Sequence, residues 1–231
     1  MMTLKRSKDR KVANSLTPSN GVRIANSFGL PAGKAYSCPN ATAVCESVCY
    51  AGKLEKIYKG TRDNLLHNYN ALVLADFSSM VAMLDKMIID FENDCNKFGA
   101  EKLFRIHWDG DFFSVLYATA WRKVIMMHPE TRFWAYTRVP SAVSVLRNLD
   151  NLSLYFSTDS ENVDVAMRLM QTFNVKLALL GKTFTTAKEL ANVRSAMCPE
   201  QRKQVALNGA CVSCGICVKG NANIAFSISK K

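Results

Sequence analysis

Four cysteines in the C-terminal part of the chain point most clearly to chemistry. Cys211, Cys214 and Cys217 are each separated by two residues, and Cys198 stands upstream beside a proline. Ferredoxin-type chains bind an iron–sulfur cluster with the same Cys-x2-Cys-x2-Cys run, followed there by a Cys-Pro. Four-cysteine zinc sites also use paired thiols, usually as two separate Cys-x2-Cys pairs. We therefore expect residues 198–220 to bind an iron–sulfur cluster, favouring the 4Fe–4S type, with zinc as the alternative.

A second cysteine group lies nearer the N-terminus. Cys38, Cys45 and Cys49 are separated by six and three residues, and Cys45 and Cys49 would share one face of a helix. We expect this triple either to form a second metal site or to join the C-terminal cysteines around a shared one. Cys95 stands alone in a predicted helix and is expected to be a free thiol.

Length and composition describe a globular protein with one core. The chain has 231 residues, of which 48% are hydrophobic and 21% charged, so we predict a single domain over residues 1–231. No apolar run is long enough to span a membrane, and no apolar segment of a secretory signal follows the basic start. We therefore expect a cytoplasmic protein, in which clustered cysteines indicate metal rather than disulfides. Residues 1–20 are expected to form a basic, flexible arm.

The net charge of +11 would suit a polyanionic partner. Lys53, Lys56, Lys59 and Arg62 recur every three residues, but the other basic residues are mostly scattered. No signature of a nucleic-acid-binding fold is readable. Nucleic acid is therefore a candidate partner that we do not favour, alongside a small-molecule substrate or a host factor.

The order of the predicted elements indicates an α/β fold. From residue 100 onward short apolar strands alternate with helical stretches, which is typical of right-handed βαβ units on a parallel sheet. The count of about six strands fits a full or partial (β/α) barrel of the TIM type, with a doubly wound open sheet as the alternative. The predicted strands are residues 21–26, 103–108, 132–137, 152–157, 175–180 and 223–228.

Polar and ionisable residues follow the predicted strands at the carboxyl edge of the sheet, where chemistry gathers in such folds. We predict that they line one pocket and there bind substrate or move protons. Each also has a structural interpretation: an aspartate can cap a helix, a histidine can belong to the core wall, and the arginine can pair with an aspartate. The six residues are His107, Asp109, Asp111, Tyr136, Arg138 and Asp159.

Several motifs occur here in the order seen in one bacteriophage family. They are Cys38-Pro-x-Ala, Cys49-Tyr-Ala-Gly-Lys, Arg105-Ile-His-x-x-Gly-Asp-Phe-Phe-Ser, Phe133-Trp-Ala-Tyr-Thr-Arg and the terminal cysteine run. From about residue 20 onward the chain resembles the phage "gene product 88-like" proteins. The resemblance implies a viral origin, expression in a host cytoplasm and the iron–sulfur-type cysteine set at Cys198, Cys211, Cys214 and Cys217. It does not imply a reaction.

More distantly, the plan is similar to the partial barrels of radical S-adenosylmethionine enzymes. Those enzymes hold a four-iron cluster with three cysteines near the first strand, and a glycine-rich stretch to which Gly110 and Asp111 would correspond binds the cofactor. The cysteine spacing departs from their usual Cys-x3-Cys-x2-Cys. The similarity implies iron–sulfur oxidoreductase or radical-type chemistry, with S-adenosylmethionine as a candidate cofactor. The alternative is a non-catalytic protein, stabilised by a cluster or zinc, that binds a host partner or nucleic acid.

Overall fold

The α/β fold predicted from the sequence is confirmed by a computed structural model, which describes residues 2–12, 24–207 and 209–229. Within these residues, seven strands form one parallel sheet in the order β1-β2-β3-β4-β5-β7-β6. The strands are β1 Ser27–Gly29, β2 Leu103–Asp109, β3 Arg132–Thr137, β4 Leu152–Thr158, β5 Lys176–Gly181, β6 Ser195–Met197 and β7 Asn223–Ser227. The helices are α1 Ala43–Val48, α2 Tyr50–Ile57, α3 Lys59–Val73, α4 Phe77–Phe98, α5 Val115–Met127, α6 Pro140–Leu146, α7 Val163–Phe173, α8 Phe184–Glu189, α9 Ala210–Cys214 and α10 Ile216–Lys219.

The strand order places the helices that connect β1 to β5 on one face of the sheet. From β1 to β5 each strand pairs with the next one in the chain, and right-handed crossovers that step in one direction leave their helices on the same side. The core agrees, because Phe104 and Ile106 of β2 share a buried cluster with Met87 of α4 and Trp121 of α5. The strand order reverses near one edge, where β7 lies between β5 and β6, and α9 and α10 of the connection between β6 and β7 pack on the opposite face. The open sheet considered as the alternative therefore fits the topology in part, although a typical doubly wound sheet reverses near its centre. Closure into a barrel is not confirmed, since in the described residues β1 and β6 do not pair with each other.

The opposite face of the sheet, which we call the cysteine face, is covered by different segments. Alternate residues of a strand point to opposite sides, so Trp134 projects away from the helices while its neighbours Phe133 and Ala135 pack against them. Trp134 instead contacts Val12 of a short 3₁₀ turn at Arg10–Val12 and Val218 of α10. The cysteine face therefore packs against the 3₁₀ turn and against the C-terminal segment with its two short helices, α9 and α10.

Helix α4 shows how local sequence sets these elements. The carboxylate of Asp76 accepts a hydrogen bond from Ser79 N at 2.7 Å and caps the first turn, and Gly99 ends the helix with φ of 61°. Between them, buried residues recur at helical spacing and include Cys95, which is a free thiol on a helix as predicted. None of the helices in the described ranges has the combination of length and hydrophobicity that crossing a membrane requires.

The predicted elements differ from the structure mainly at the sheet edges. Strands β2 to β5 and β7 lie within one residue of their predicted bounds at each end, and β6 was not predicted. The predicted entry strand at residues 21–26 is wrong for residues 24–26, which form no strand and directly precede β1. Residues 21–23 lie outside the described residues. Residues 2–12 of the predicted arm are packed, with Leu4 and Val12 buried and Ser7 bridging to Ser27; residues 13–20 lie outside the described ranges.

Candidate functional site

Three of the four C-terminal cysteines lie on two short helices whose turns depend on glycine: Cys211 and Cys214 are on α9 and Cys217 is on α10, whereas Cys198 follows β6. Gly215 joins α9 to α10 with φ of 69°, and Gly220 ends α10 with φ of 70°, a region that residues with a side chain rarely adopt. A β-carbon on Gly220 would lie 2.5 Å from the Ser153 hydroxyl oxygen of β4. The segment is therefore seated directly on the sheet.

Side chains of the sheet hold this segment by its backbone carbonyls. Arg132 Nε donates to Val218 O at 3.0 Å, and the Ser153 hydroxyl donates to the same carbonyl at 2.7 Å. The Tyr155 hydroxyl donates to Ile216 O at 3.2 Å. These hydrogen bonds satisfy polar groups that would otherwise be buried without partners, so they fix the segment independently of its thiols.

The four thiols of this segment are free, half-buried and close enough to influence one another. Burial raises the pKa of Cys211 to about 12 and the pKa of Cys217 to about 11. Negative charge on Cys198 or Cys214 raises the pKa of Cys217 further, whereas the Tyr136 hydroxyl acts in the opposite direction. Burial and mutual repulsion of thiolates are the costs that a bound cation removes, so the donor set fits a thiolate-ligated metal by its chemistry.

The thiols are not arranged as a preformed metal site. Among the residues that the structure describes, no three Cys, His, Asp or Glu side chains are grouped so that they could hold a metal ion. The fit therefore rests on the donor types and their shared surroundings.

A cation that sequence analysis did not single out lies beside this group. Arg105 Nη1 forms an ion pair with Asp9 Oδ2 at 2.7 Å, and its guanidinium carbon lies 5.8 Å from the centre of the Tyr136 ring. Next to burial, Arg105 is the largest influence on the pKa of Cys211, which it lowers. Its position could have been found, because Arg105 alternates along β2 with the helix-facing Phe104 and Ile106.

The N-terminal cysteines have different neighbours. Thr42 caps α1 by accepting a hydrogen bond from Cys45 N at 3.0 Å, and Cys49 Sγ accepts one from Gly52 N at 3.3 Å. Burial raises the pKa of Cys38 to about 12, and the charge of Asp111 adds to this shift. The triple therefore lies near the predicted strand-end residues.

Asp111 holds three segments together. Its Oδ1 accepts hydrogen bonds from Phe112 N at 2.7 Å and from the Thr137 hydroxyl at 2.6 Å, and its Oδ2 accepts one from Arg138 N at 2.8 Å. Asp111 N in turn donates to the Ser37 hydroxyl at 3.3 Å. The buried carboxylate thus ties the ends of β2 and β3 to each other.

Arg138 and Asp159 form the second half of this network. Arg138 Nη1 lies 2.7 Å from Asp159 Oδ2, which also accepts a hydrogen bond from the Thr42 hydroxyl at 2.6 Å. Both charged side chains are buried, so neither is free to approach a ligand without breaking the pair. The structural interpretation of Arg138, pairing with an aspartate, accounts for these contacts.

His107 lies apart from that network, in the helix-side core. Its backbone has φ of 59°, and its Nε2 lies 2.8 Å from the Tyr117 hydroxyl, with the Phe112 ring 4.6 Å away. Burial, followed by the charge of Arg105, lowers the pKa of His107 to about 3. The structure therefore places His107 in the core wall, the structural alternative considered for it.

The buried neutral imidazole makes stability depend on pH. In the unfolded chain His107 takes up a proton below its ordinary pKa near 6.5, whereas in the folded protein it does so only near 3. The contribution of the neutral imidazole to the free energy of unfolding is complete above pH 6.5 and is lost as the pH falls. The loss amounts to about 2 kcal/mol by pH 5. We expect the free energy of unfolding, measured by urea titration from pH 7 to pH 5, to fall less steeply in His107→Asn, which cannot titrate and tolerates a positive φ. Equal slopes for the two proteins would contradict this assignment.

Asp109 and Gly110 complete the loop after β2. Burial, and then the charge of Glu55 from α2, raises the pKa of Asp109 well above its ordinary range. Gly110 has φ of 82°, and a β-carbon there would lie 2.5 Å from the Ser37 hydroxyl oxygen and 2.8 Å from Leu30 O. The close packing around Gly110 explains why a glycine is required there. The proximity of Glu55 to Asp109 follows from the folded structure and could not be predicted from the sequence.

The six predicted residues are thus divided among four environments. Asp111, Arg138 and Asp159 share one network, Asp109 faces Glu55, His107 belongs to the core, and Tyr136 points to the cysteine face. A cleft of about 640 Å³ lies instead beside β6, and none of the six lines it. It is bordered by Thr185, Lys188, Glu189, Asn192, Val193, Arg194 and Met197.

Fold and site together define an α/β protein with a parallel sheet and two cysteine groups, one of them packed on a sheet face. The chain belongs to the Gene product 88 family, whose model matches residues 2–220. It is 48% identical over 242 residues to the Gene 88 protein of Mycobacterium phage L5, with both chains covered completely. It is 47% identical over 243 residues to the Gene 88 protein of Mycobacterium phage D29, again over the full length of both. No solved structure matches the chain. The resemblance drawn from the motifs is confirmed, and a bacteriophage origin is supported.

Proposed function

We propose that this chain is an iron–sulfur protein whose cluster, of the 4Fe–4S type, is held by Cys198, Cys211, Cys214 and Cys217. The observation that carries the proposal is that these free, half-buried thiols lie beside one face of a parallel sheet, near enough for charge on Cys198 and Cys214 to act on Cys217. Thiolates are the ligands that such clusters use, and binding would draw the four sulfurs together. A bound cluster supplies and accepts single electrons, so we propose redox or radical-type chemistry.

Two residues of the cysteine face would adjust the properties of the ligands. Arg105 favours the thiolate form of Cys211 and would offset part of the negative charge of four ligating sulfurs. The Tyr136 hydroxyl lowers the pKa of Cys217, against the larger effect of burial, and would stabilise negative charge on that sulfur. Neighbouring charges and hydrogen bonds of this kind set the reduction potential of a cluster.

Cys38, Cys45 and Cys49 are proposed as a second metal site near the strand ends. A separate site is favoured because Cys38 and Cys49 have Asp109 as a charged neighbour, whereas Cys217 has Cys198 and Cys214. The close packing of Gly110 gives no support for S-adenosylmethionine at that position. We further propose that the sheet is a partial barrel and that the protein acts in the host cytoplasm.

A structural role for the metal is the second candidate. It is favoured by the length of α9 and α10, which have five and four residues and are too short to be stable without further contacts. A cluster or zinc ion would then lock this segment in place, as structural metals do in small domains. The protein would present its surface to a partner without catalysing a reaction.

Counting metals in anaerobically purified protein tests the proposal. We expect about four iron and four sulfide per chain for each 4Fe–4S cluster, with a broad visible absorption that bleaches on reduction with dithionite. Zinc with no sulfide would overturn the iron–sulfur proposal and support the structural candidate. Protein that folds and stays soluble with neither metal would contradict both.

A further inference from the structure

Helix α2 presents large apolar and aromatic side chains to solvent. Tyr50 is 55% exposed, Ile57 is 68% exposed and Tyr58, which links α2 to α3, is 58% exposed. Their exposure is a result of folding that the sequence pattern does not reveal. Exposed aromatic side chains at one place on a surface mark an interaction site more often than isolated ones do.

Cations surround these side chains. We call the surface formed by Tyr50, Lys53, Lys56, Ile57, Tyr58, Lys59 and Arg62 the α2 surface. Its four basic residues are exposed, and among the ion pairs of the described residues none involves them. The acid within this stretch, Glu55, is turned inward, where its Oε1 accepts a hydrogen bond from Ala32 N at 2.8 Å.

The helix aligns the aromatic and basic groups. Tyr50, Lys53 and Ile57 are three and four residues apart, so they lie on one side of α2. The Tyr50 hydroxyl donates to Trp108 O at 3.1 Å, which holds the ring in place while leaving most of it open to solvent. An ordered ring loses little conformational entropy when a planar group stacks on it.

This combination matches the chemistry of a single-stranded nucleic acid. Proteins bind single strands without sequence preference by stacking bases on aromatic side chains and by pairing phosphates with lysine and arginine. A membrane-binding helix would need a continuous apolar face, whereas the solvent side of α2 carries one ring and one aliphatic side chain interrupted by the cations Lys53 and Lys56, and its other side packs on the protein. The charge and the exposed rings therefore favour one class of occupant.

We propose that the α2 surface binds single-stranded nucleic acid, with Tyr50 and Tyr58 stacking on bases and Lys53, Lys56, Lys59 and Arg62 contacting phosphates. The inference does not depend on the metal proposal, because none of these residues is a candidate ligand. Nucleic acid, a candidate partner that the sequence alone did not favour, thereby becomes the favoured occupant of this surface.

Fluorescence anisotropy with a labelled single strand of about 20 nucleotides tests the inference, since such proteins cover about 4–16 nucleotides per site. We expect Lys53→Glu/Lys56→Glu to weaken binding at least about tenfold near 0.1 M salt. The slope of the logarithm of the association constant against the logarithm of the salt concentration should become shallower by about 1.4, or about 0.7 for each lost phosphate contact. Tyr58→Ala should weaken binding about fivefold or more and leave the salt slope unchanged, because stacking releases no counterions.

A charge-matched variant separates the α2 surface from net charge. Lys97→Glu/Lys123→Glu makes the same change at exposed positions on α4 and α5 and should bind as the unmodified protein does. Equal weakening by the two double variants would overturn the proposal, as would the absence of oligonucleotide binding by the unmodified protein. Binding to anionic phospholipid vesicles, without binding to the oligonucleotide, would assign the surface to membranes instead. Circular dichroism melting of each variant confirms that it is folded.

Discussion

Asp111→Ala is expected to lower the free energy of unfolding by about 3 kcal/mol or more, because it leaves several buried donors without an acceptor. The Asp111 carboxylate accepts hydrogen bonds of 2.6–2.8 Å from three such donors: Phe112 N, Arg138 N and the Thr137 hydroxyl. Leaving a buried polar group unpaired costs more than the same hydrogen bond contributes when both partners are removed. The expected result is therefore a loss of folding, in contrast to the loss of ligand binding that a substrate-binding aspartate would give.

Urea or thermal unfolding of purified variants measures this effect. Asp164→Ala removes an exposed aspartate from the first turn of α7 and should cost less than about 1 kcal/mol. Asp111→Asn keeps one acceptor oxygen, so its loss of unfolding free energy should lie between those of Asp111→Ala and Asp164→Ala. If Asp111→Ala were as stable as the unmodified protein and still bound its ligands, the network at the ends of β2 and β3 would not hold these strands together.

Replacement of Cys211, Cys214 or Cys217 by serine is expected to remove about four iron atoms per chain, those of the C-terminal cluster, from the anaerobically purified protein. Each variant deletes one thiolate of a four-ligand set, and hydroxyl oxygen is a poor ligand for iron in these clusters. The fold should survive in part, since Arg132, Ser153 and Tyr155 hold the same segment through backbone carbonyls. Iron and sulfide per chain, with the visible spectrum, measure the outcome.

Cys95→Ala is the matched control for these variants. Its thiol is buried within α4, in the helix-side core, so iron content should stay unchanged when it is replaced. Serine at Cys38, Cys45 and Cys49 together should lower iron by about four atoms if the triple holds its own four-iron cluster. Full iron in a Cys217→Ser protein would show that the C-terminal set is not the ligand set.

Strands of six or seven residues could be predicted from the sequence, and those of three residues could not. Strands β2 to β5 read as short, mostly apolar runs because both faces of the parallel sheet are covered, which leaves none of their residues exposed. Strands β1 and β6 have only three residues each, too few for a period to be visible. Their positions are set by pairing with β2 and β7, which is a property of the folded chain.

The strand-end residues show a second limit. Sequence order correctly brings Asp111 near Arg138, because parallel strands end at the same edge. It does not show that His107 has a positive φ, which interrupts the alternation of β2 and leaves its imidazole in the core. Tyr136 and Thr137 could have been separated by the two-residue period, since adjacent residues of a strand face opposite sides.

The position of β7 has a consequence for the order in which the protein can be made. β7 follows β6 in the chain, yet it lies between β5 and β6 and hydrogen-bonds to both. During synthesis, β5 and β6 leave the ribosome before the strand that will separate them. Until β7 emerges, the open edge of β5 has no native partner on that side and, in the part of the chain that the structure describes, β6 has no strand to pair with. The cysteine segment lies directly before β7 in the chain, so the last strand to enter the sheet is the one that follows the proposed ligands.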